Sequence, residues 1–309
     1  MNAPGDAARR REIETAVLET VLYSDVFDYP LTHAEIAHYL IGVQADVDAV
    51  RALLAAPHYL NGHLRQSGSY VFARHRDSIV ERRRARQVSS ARLWTSARRF
   101  VRVMAILPFV RMVGVTGALA MDNSESGDDI DVMIVAARRR AWTARLFTVA
   151  LVYAGKLFGR TLCPNYVVTE DALELETRDL FAAHELAQMA PLYGLVTYAR
   201  MRQANGWVYD YLPNAHAPWR LEPEIKPGII GRAVKRAAEW LLGGRLGDAL
   251  EAWEMRRKQR KFAPRMTARS RAILDRDRVK GHFEDYGAPV MESYAARLAQ
   301  FRMPDAEDA

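Results

Sequence analysis

Cysteine is almost absent from this sequence: Cys163 is the single one among 309 residues. One thiol cannot form a disulfide within the chain, and it disfavours a zinc site built from several thiolates. Scarcity of cysteine is typical of proteins that work in a reducing compartment.

Long apolar runs are also missing. The best candidate for a membrane span, residues 146–158, contains Lys156 and is shorter than the ~20 apolar residues that cross a bilayer. Residues 1–14 mix acidic and basic side chains and contain no apolar core of a secretory signal. We therefore expect a cytoplasmic protein with no membrane partner.

Positive charge is in modest excess, because 44 Lys and Arg residues outnumber 37 Asp and Glu residues and give a net charge of +7. This balance suits polyanionic partners such as nucleotides or nucleic acid, without choosing between them. The densest basic runs are residues 82–86 and 256–261, which we expect to be solvated helix faces. Half of the chain is hydrophobic, which is enough for a packed core.

Residues 9–75 have the pattern of a small module with three helices and a hairpin. Thr32 and Glu35 have the spacing of a capping box at the start of the second helix, and Gly68 suits the turn of the hairpin. The expected helices and strands are 12–23, a helix starting after Thr32, 46–55, 59–65 and 69–73.

This order is that of a winged helix, in which the third helix enters a DNA groove. The third helix here begins with Asp46 and Asp48, and such acids disfavour contact with phosphates. We therefore favour a packing or protein-contact role for the module and leave DNA binding as the alternative.

The rest of the chain divides into a connecting basic helix (76–110), an α/β core (111–176) and a helical C-terminal region (177–303). The core pattern predicts a small mixed sheet with helices, so the fold class is α/β plus helical. Its expected elements are strands at 112–116, 130–135 and 163–169 and helices at 118–122 and 140–158. The clearest C-terminal helices are expected at 182–198, 231–242, 245–260 and 289–301.

Chemistry is concentrated where the first core strand ends. Thr116 closes that strand, and Gly117 and Ala118 open a short helix, whose backbone N–H groups suit a phosphate. Asp129 and Asp131 follow, two residues apart on the next strand, so both carboxylates point to one face. Two neighbouring carboxylates repel unless a cation lies between them, and Mg²⁺ or Mn²⁺ prefers such oxygen ligands.

The series Thr116-Gly117-Ala118, ten further residues, and Asp129-Ile130-Asp131-Val132 resembles the signature of the nucleotidyltransferase superfamily, whose fold is polymerase-beta-like. Residues 23–32, 183–189 and 207–214 extend the similarity to bacterial proteins that carry a nucleotidyltransferase domain. The resemblance implies that Asp129 and Asp131 bind Mg²⁺ or Mn²⁺ on a nucleoside triphosphate.

The same resemblance implies that residues 116–118 contact the phosphates, and Arg145 is a candidate for the edge where a nucleotide would lie. The chain departs from the superfamily pattern in two ways. Ala118 stands where many members have serine, and the strand over 163–169 lacks the third carboxylate that often acts as base. Asn165 is its closest polar residue, but an amide cannot accept the proton. Glu170 and Asp171 lie just past the strand.

We therefore expect a Mg²⁺-dependent nucleotidyltransferase that transfers a nucleoside monophosphate, with ATP as the assumed donor, to a hydroxyl of an unknown acceptor. The alternative is a catalytically degenerate regulator that senses nucleotide or binds DNA. His184 and Glu185 begin a pattern seen in zinc peptidases, but Gln188 stands where the second histidine is required, so that class is excluded. For His184 we expect a structural role.

Overall fold

The computed structural model describes residues 4–56, 62–156, 162–267, 270–281 and 283–302. Within these residues the fold is mixed α/β, with one three-stranded and one six-stranded sheet. No helix in the described ranges combines the length and apolarity needed to cross a membrane. The predicted strand over 59–65 and helix over 140–158 both extend into residues outside these ranges.

The N-terminal module has the predicted order of elements. Thr32 accepts from the backbone N–H of Glu35, and the Glu35 carboxylate accepts from the N–H of Thr32, which confirms the capping box. Gly68 adopts a left-handed φ of +59° at the hairpin turn. The elements are α1 (Pro4–Asp25), β1 (Leu31–Thr32), α2 (His33–His38), α3 (Val47–Leu54), β2 (Leu64–Ser67) and β3 (Tyr70–Ala73), with the strands in the order β1-β3-β2.

A buried ion pair joins this module to the long helix α4 (Ser78–Met104). Arg83 lies 2.8 Å from Glu35, both side chains are almost fully buried, and Tyr29 donates to the same carboxylate at 2.8 Å. The expectation that residues 82–86 form a solvated face is therefore wrong for Arg83, whereas Arg84 is exposed as expected. The sequence does not distinguish Arg83 from the neighbouring arginines, because its partner Glu35 lies 48 residues away along the chain.

The six-stranded sheet has the order β7-β4-β5-β6-β9-β8 and only the pair β5–β6 is parallel. Its strands are β4 (Val110–Val115), β5 (Ile130–Ala136), β6 (Leu162–Thr169), β7 (Ala190–Tyr193), β8 (Ile273–Leu274) and β9 (Arg278–Lys280). The remaining α-helices are α5 (Gly117–Ala120), α6 (Ala141–Lys156), α7 (Leu180–Gln188), α8 (Leu195–Ala204), α9 (Val208–Tyr211), α10 (Ile229–Leu242), α11 (Arg245–Phe262) and α12 (Gly287–Arg302).

The expected continuous helix over 182–198 is wrong. The chain leaves α7 after Gln188, adds β7 to the edge of the sheet beside β4, and starts α8 only after Gly194. Gly194 has a φ of +79°, and a Cβ there would lie 2.0 Å from the carbonyl oxygen of Arg111. Pro191 lacks an N–H and is tolerated because β7 is an edge strand.

Strands β8 and β9 also lie in the segment expected to be helical, so the C-terminal region contributes three strands to the sheet. These strands have only two to four residues, which is too short for the alternating pattern that identifies a strand in sequence. The predicted core strands 112–116, 130–135 and 163–169 all lie, with small shifts, where β4, β5 and β6 are found.

The two faces of the sheet pack into different cores. Ile130, Val132 and Ile134 face a core shared with α4 and α6, as the alternation in β5 predicted. Met133 and Val135 face the other core, which contains the N-terminal module, α7 and α12. Because side chains alternate along a strand, Asp131 belongs to this second face. The N-terminal module therefore covers the acid-bearing side of the sheet.

We predict that Glu35→Gln lowers the free energy of unfolding by about 3 kcal/mol, because it leaves the Arg83 guanidinium buried without its counter-charge. Urea denaturation of the full chain measures this. Glu81→Gln is the matched control, since its pair with Arg84 is solvent-exposed and should change stability by less than about 1 kcal/mol. Equal losses in the two variants would contradict a structural role for the buried pair.

Candidate metal and phosphate site

The turn between β4 and α5 brings Gly117 directly against Asp131. Gly117 has a φ of +65°, and a Cβ at this position would lie 3.1 Å from Oδ2 of Asp131. The backbone N–H of Thr116 donates to the carbonyl oxygen of Asp131 at 3.0 Å, which fixes the two segments together. A glycine is needed here both for the left-handed backbone and for the close carboxylate.

Asp129 and Asp131 differ in their surroundings. Asp129 is exposed just before β5 begins, whereas Asp131 is half-buried as the second residue of the strand. The pKa of Asp131 is raised to about 6, chiefly by burial and also by the negative charges of Asp129 and Asp128, while hydrogen bonding with Cys163 opposes the rise. A cation beside Asp129 and Asp131 would offset this repulsion.

The position beside Asp131 on β6 is occupied by Cys163. In the parallel pair β5–β6, Asp131 is in register with Cys163, Val132 with Pro164, and Met133 with Tyr166. The register shift leaves Asn165 without a partner on β5, so the predicted third-position residue is not the neighbour of Asp131. The sequence did not predict this register shift, because a β-bulge of one extra residue has no characteristic sequence pattern.

Cys163 is unsuited to act as a base in this position. Burial raises the pKa of its thiol to about 12, and the charges of Asp131 and Asp129 add to the effect. The thiol therefore stays protonated near neutral pH and is a donor toward the Asp131 carboxylate.

The two acids that follow β6 lie at the wrong end of the strand. Glu170 and Asp171 come after Thr169, the last residue of β6. Thr169 itself lies about 20 Å along the strand from Cys163, because each residue adds ~3.3 Å. They pair with other groups there, Glu170 with Arg200 at 3.5 Å and Asp171 with Arg138 at 3.1 Å. Neither supplies the missing carboxylate.

A further carboxylate on α7 interacts electrostatically with Asp131. Glu185 is half-buried, and α7 packs against α5, the helix that Gly117 opens. The pKa of Glu185 is raised to about 7, chiefly by burial and also by the charge of Asp131, while the charge of Lys280 opposes the rise. The side chain thus lies within electrostatic range of Asp131. Sequence reasoning missed this role, since only the folded chain brings α7 to the sheet.

The neighbouring His184 is a packing residue, in line with the expectation from sequence. Its ring is buried and stacks on Tyr23 with 3.9 Å between centroids, and Nδ1 lies 2.9 Å from the carbonyl oxygen of Leu180. Burial lowers its pKa to about 4, so it stays neutral.

Arg145 lies on α6, which belongs to the opposite face of the sheet from Asp131. Burial lowers its pKa, and the negative charge of Glu254 opposes this effect. Among the described residues, its Nη1 is buried and has no hydrogen-bond partner. Its proposed contact with a nucleotide stays a prediction.

The donor set fits a hard cation that keeps other ligands. In the described parts of the chain, no group of three or more His, Cys, Asp or Glu side chains is arranged to hold a metal. Asp129 and Asp131 would therefore supply two carboxylates and leave the remaining positions to water and substrate phosphate. That division of ligands is usual for Mg²⁺ at phosphate-transfer sites.

Ala118, the third residue of the turn, offers a backbone N–H but no hydroxyl to a phosphate, and the Thr116 side chain makes no capping bond to α5. No family model, curated protein or solved structure matches the chain. Functional inference therefore rests on the geometry of Gly117, Asp129 and Asp131 and on the surrounding carboxylates.

We predict that Asp131→Asn stabilises the metal-free protein at pH 8. The folded-state pKa of Asp131, about 6, lies above the unfolded value. Its contribution to stability is therefore complete below about pH 4 and is lost as pH rises through about 6. Removing the charge should add on the order of 2 kcal/mol at pH 8 and almost nothing at pH 4.

Thermal unfolding at the two pH values, in the presence of a chelator, measures the effect. Asp48→Asn is the control, because the side chain of Asp48 is 84% exposed on α3 and removal of its charge should change stability by less than about 1 kcal/mol at either pH. A destabilised Asp131→Asn protein at pH 8 would contradict the view that Asp131 lacks a compensating charge.

Proposed function

We propose that the protein is a Mg²⁺-dependent nucleotidyltransferase that moves a nucleoside monophosphate from a nucleoside triphosphate to a hydroxyl of an acceptor. The observation that carries the proposal is the carboxylate of Asp131 packed on the backbone of Gly117, with Asp129 two residues away. This arrangement puts two carboxylate ligands next to a backbone segment open to phosphate. ATP is the donor to test first.

Asp129 and Asp131 would hold the metal, and the backbone of residues 116–118 would hold the phosphates. Mg²⁺, when bound, neutralises triphosphate charge and stabilises the developing negative charge of the transition state. The acceptor hydroxyl forms a new bond to the α-phosphorus, the bond to the bridging oxygen breaks, and pyrophosphate leaves. The hydroxyl proton must pass to a base.

Glu185 is the base in this proposal. Cys163 is protonated and Asn165 is an amide, so neither residue of β6 accepts the proton. Glu185 lies on α7, which packs in the core on the side of the sheet where Asp131 lies, and the charge of Asp131 raises the pKa of Glu185. A general base contributes a factor on the order of 10²–10⁴ in rate, so loss of the Glu185 carboxylate should slow transfer by about that factor.

A nucleotide-sensing regulator is the second candidate, favoured by two observations. Cys163 occupies the strand position beside Asp131 where an acid is expected, and Ala118 lacks a hydroxyl. DNA binding by the N-terminal module is less favoured. Asp46 caps the third helix α3, and the side chain of Asp48 at its start is 84% exposed, so an outward carboxylate would meet DNA phosphates.

The first experiment measures nucleotide binding. Calorimetry with ATP and Mg²⁺ should show Asp131→Asn weakening binding at least about tenfold, because a metal ligand is lost. Asp48→Asn removes the same charge from an exposed position on α3 and should bind as the wild type does. Equal binding by wild type and Asp131→Asn would remove the proposed metal site.

The second experiment separates transferase from regulator. Glu185→Gln should retain Mg²⁺-ATP binding but transfer label from α-labelled nucleotide to acceptors in a cell extract at least about 100-fold more slowly. Glu176→Gln, a partly exposed acid paired with Arg278, is the control for loss of a carboxylate. Nucleotide binding without transfer by the wild type would favour the regulator.

A further inference from the structure

Helix α10 presents an apolar face to solvent. Its seven members occupy an arc of about 140° at 3.6 residues per turn, and the arc contains no polar residue. They are Ile229, Ile230, Ala233, Val234, Ala237, Trp240 and Leu241, and all are exposed. Ile230 is 81% exposed and Trp240 is 84% exposed. An amphipathic helix normally turns such a stripe toward the core, so this α10 apolar face points to a partner.

The orientation of α10 is fixed by polar contacts on its opposite side. The buried Lys235 donates to the carbonyl oxygen of Ala105 and to the hydroxyl of Tyr193, each at 3.0 Å. Glu239 accepts from the backbone N–H of Phe109 at 2.7 Å and from Arg111 at 2.6 Å. Rotation of the helix to bury the apolar face would break all of these contacts, so the face stays outward.

Helix α11 continues the surface with aromatic and basic groups. Leu246 is 61% exposed and Trp253 is 50% exposed. One to two turns further along the helix, Arg256, Arg260 and Lys261 are exposed. Because Trp253, Arg256 and Arg260 recur at spacings of three and four, they share one side of α11.

Of the three acids of α11, Glu251 and Glu254 are buried, whereas Asp248 is exposed at the surface. Glu251 is buried and accepts from the backbone N–H groups of Trp142 and Thr143 at 2.9 and 2.7 Å. Glu254 is buried and pairs with Arg257, and Asp248 pairs with Arg140. The outward surface of α11 therefore combines apolar and positive groups without a free carboxylate.

Two further arginines border the α10 apolar face. Arg232 and Arg236 are exposed one turn apart along one edge of the stripe. In the described residues, no carboxylate pairs with Arg232, Arg236 or Arg256. Protruding apolar side chains bordered by uncompensated cations need a partner that is apolar inside and negative at its surface.

We propose that α10 and α11 dock the protein on a membrane surface that contains anionic lipids. The apolar stripe enters the acyl boundary, the tryptophans lie at the interface, and the arginines contact headgroup phosphates. Such docking needs no spanning helix, and it revises the sequence-based expectation of no membrane partner. A second copy of the chain is disfavoured, because a symmetric contact would oppose the same arginines.

Vesicle flotation of the full chain tests the proposal. The wild type should float with vesicles of equimolar phosphatidylcholine and phosphatidylglycerol, remain behind with pure phosphatidylcholine, and bind less as salt rises. The double variant Ile230→Ser with Trp240→Ser should lower vesicle binding at least about tenfold, since it removes apolar insertion. The double variant Arg232→Gln with Arg236→Gln should bind the anionic vesicles more weakly than the wild type does.

Val88→Ser is the matched control, because Val88 is 60% exposed on α4 and lies about 25 Å along that helix from Ala105, where Lys235 of α10 makes contact. Its vesicle binding should equal that of the wild type, and all variants should keep the wild-type melting temperature. Asp131→Asn should also float normally, since docking does not depend on the proposed transferase site.

Absence of wild-type flotation on anionic vesicles would overturn the proposal. So would unchanged flotation of the Ile230→Ser, Trp240→Ser protein. If the wild type instead dimerises in analytical ultracentrifugation, does not float, and becomes monomeric in that double variant, the face belongs to a second copy.

Discussion

The site depends on the packing of one carboxylate against one glycine. Asp131 lies within 3.1 Å of where a Cβ of Gly117 would be, and the Thr116 N–H holds the two strands at that distance. The same packing removes solvent from Asp131 while leaving Asp129 close to it, so the negative charge is poorly compensated. We propose that a divalent cation with its phosphate ligands offsets this charge.

The rest of the fold maintains the surroundings of that carboxylate. The Arg83–Glu35 pair attaches the N-terminal module to α4, and the module shares a core with Met133 and Val135 on the face of the sheet that carries Asp131. Helix α7 enters the same core, and the charge of Asp131 acts on the pKa of its Glu185. Stability and the proposed chemistry are therefore linked through one shared core.

Sequence predicted what short-range pattern encodes: the three central strands, the capping box at Thr32, and the placement of Asp131 on a buried strand. It missed β7, because a strand of four residues is too short to show alternation, and the expected helix ran through Pro191 although proline fits poorly inside a helix. It named Asn165 as the closest polar candidate for the third position, because the register that pairs Cys163 with Asp131 has no sequence signal. Glu185 and the outward turn of α10 depend on long-range packing, which periodicity does not specify.

The central claim is that Asp129 and Asp131 form a metal–nucleotide site. Crystals grown with Mn²⁺ and a non-hydrolysable ATP analogue test it most directly through the anomalous scattering of manganese. We expect a peak between the two side chains, within about 2.3 Å of a carboxylate oxygen of Asp131, with the triphosphate against residues 116–118. A nucleotide bound elsewhere, or no manganese peak beside Asp131, would contradict the account.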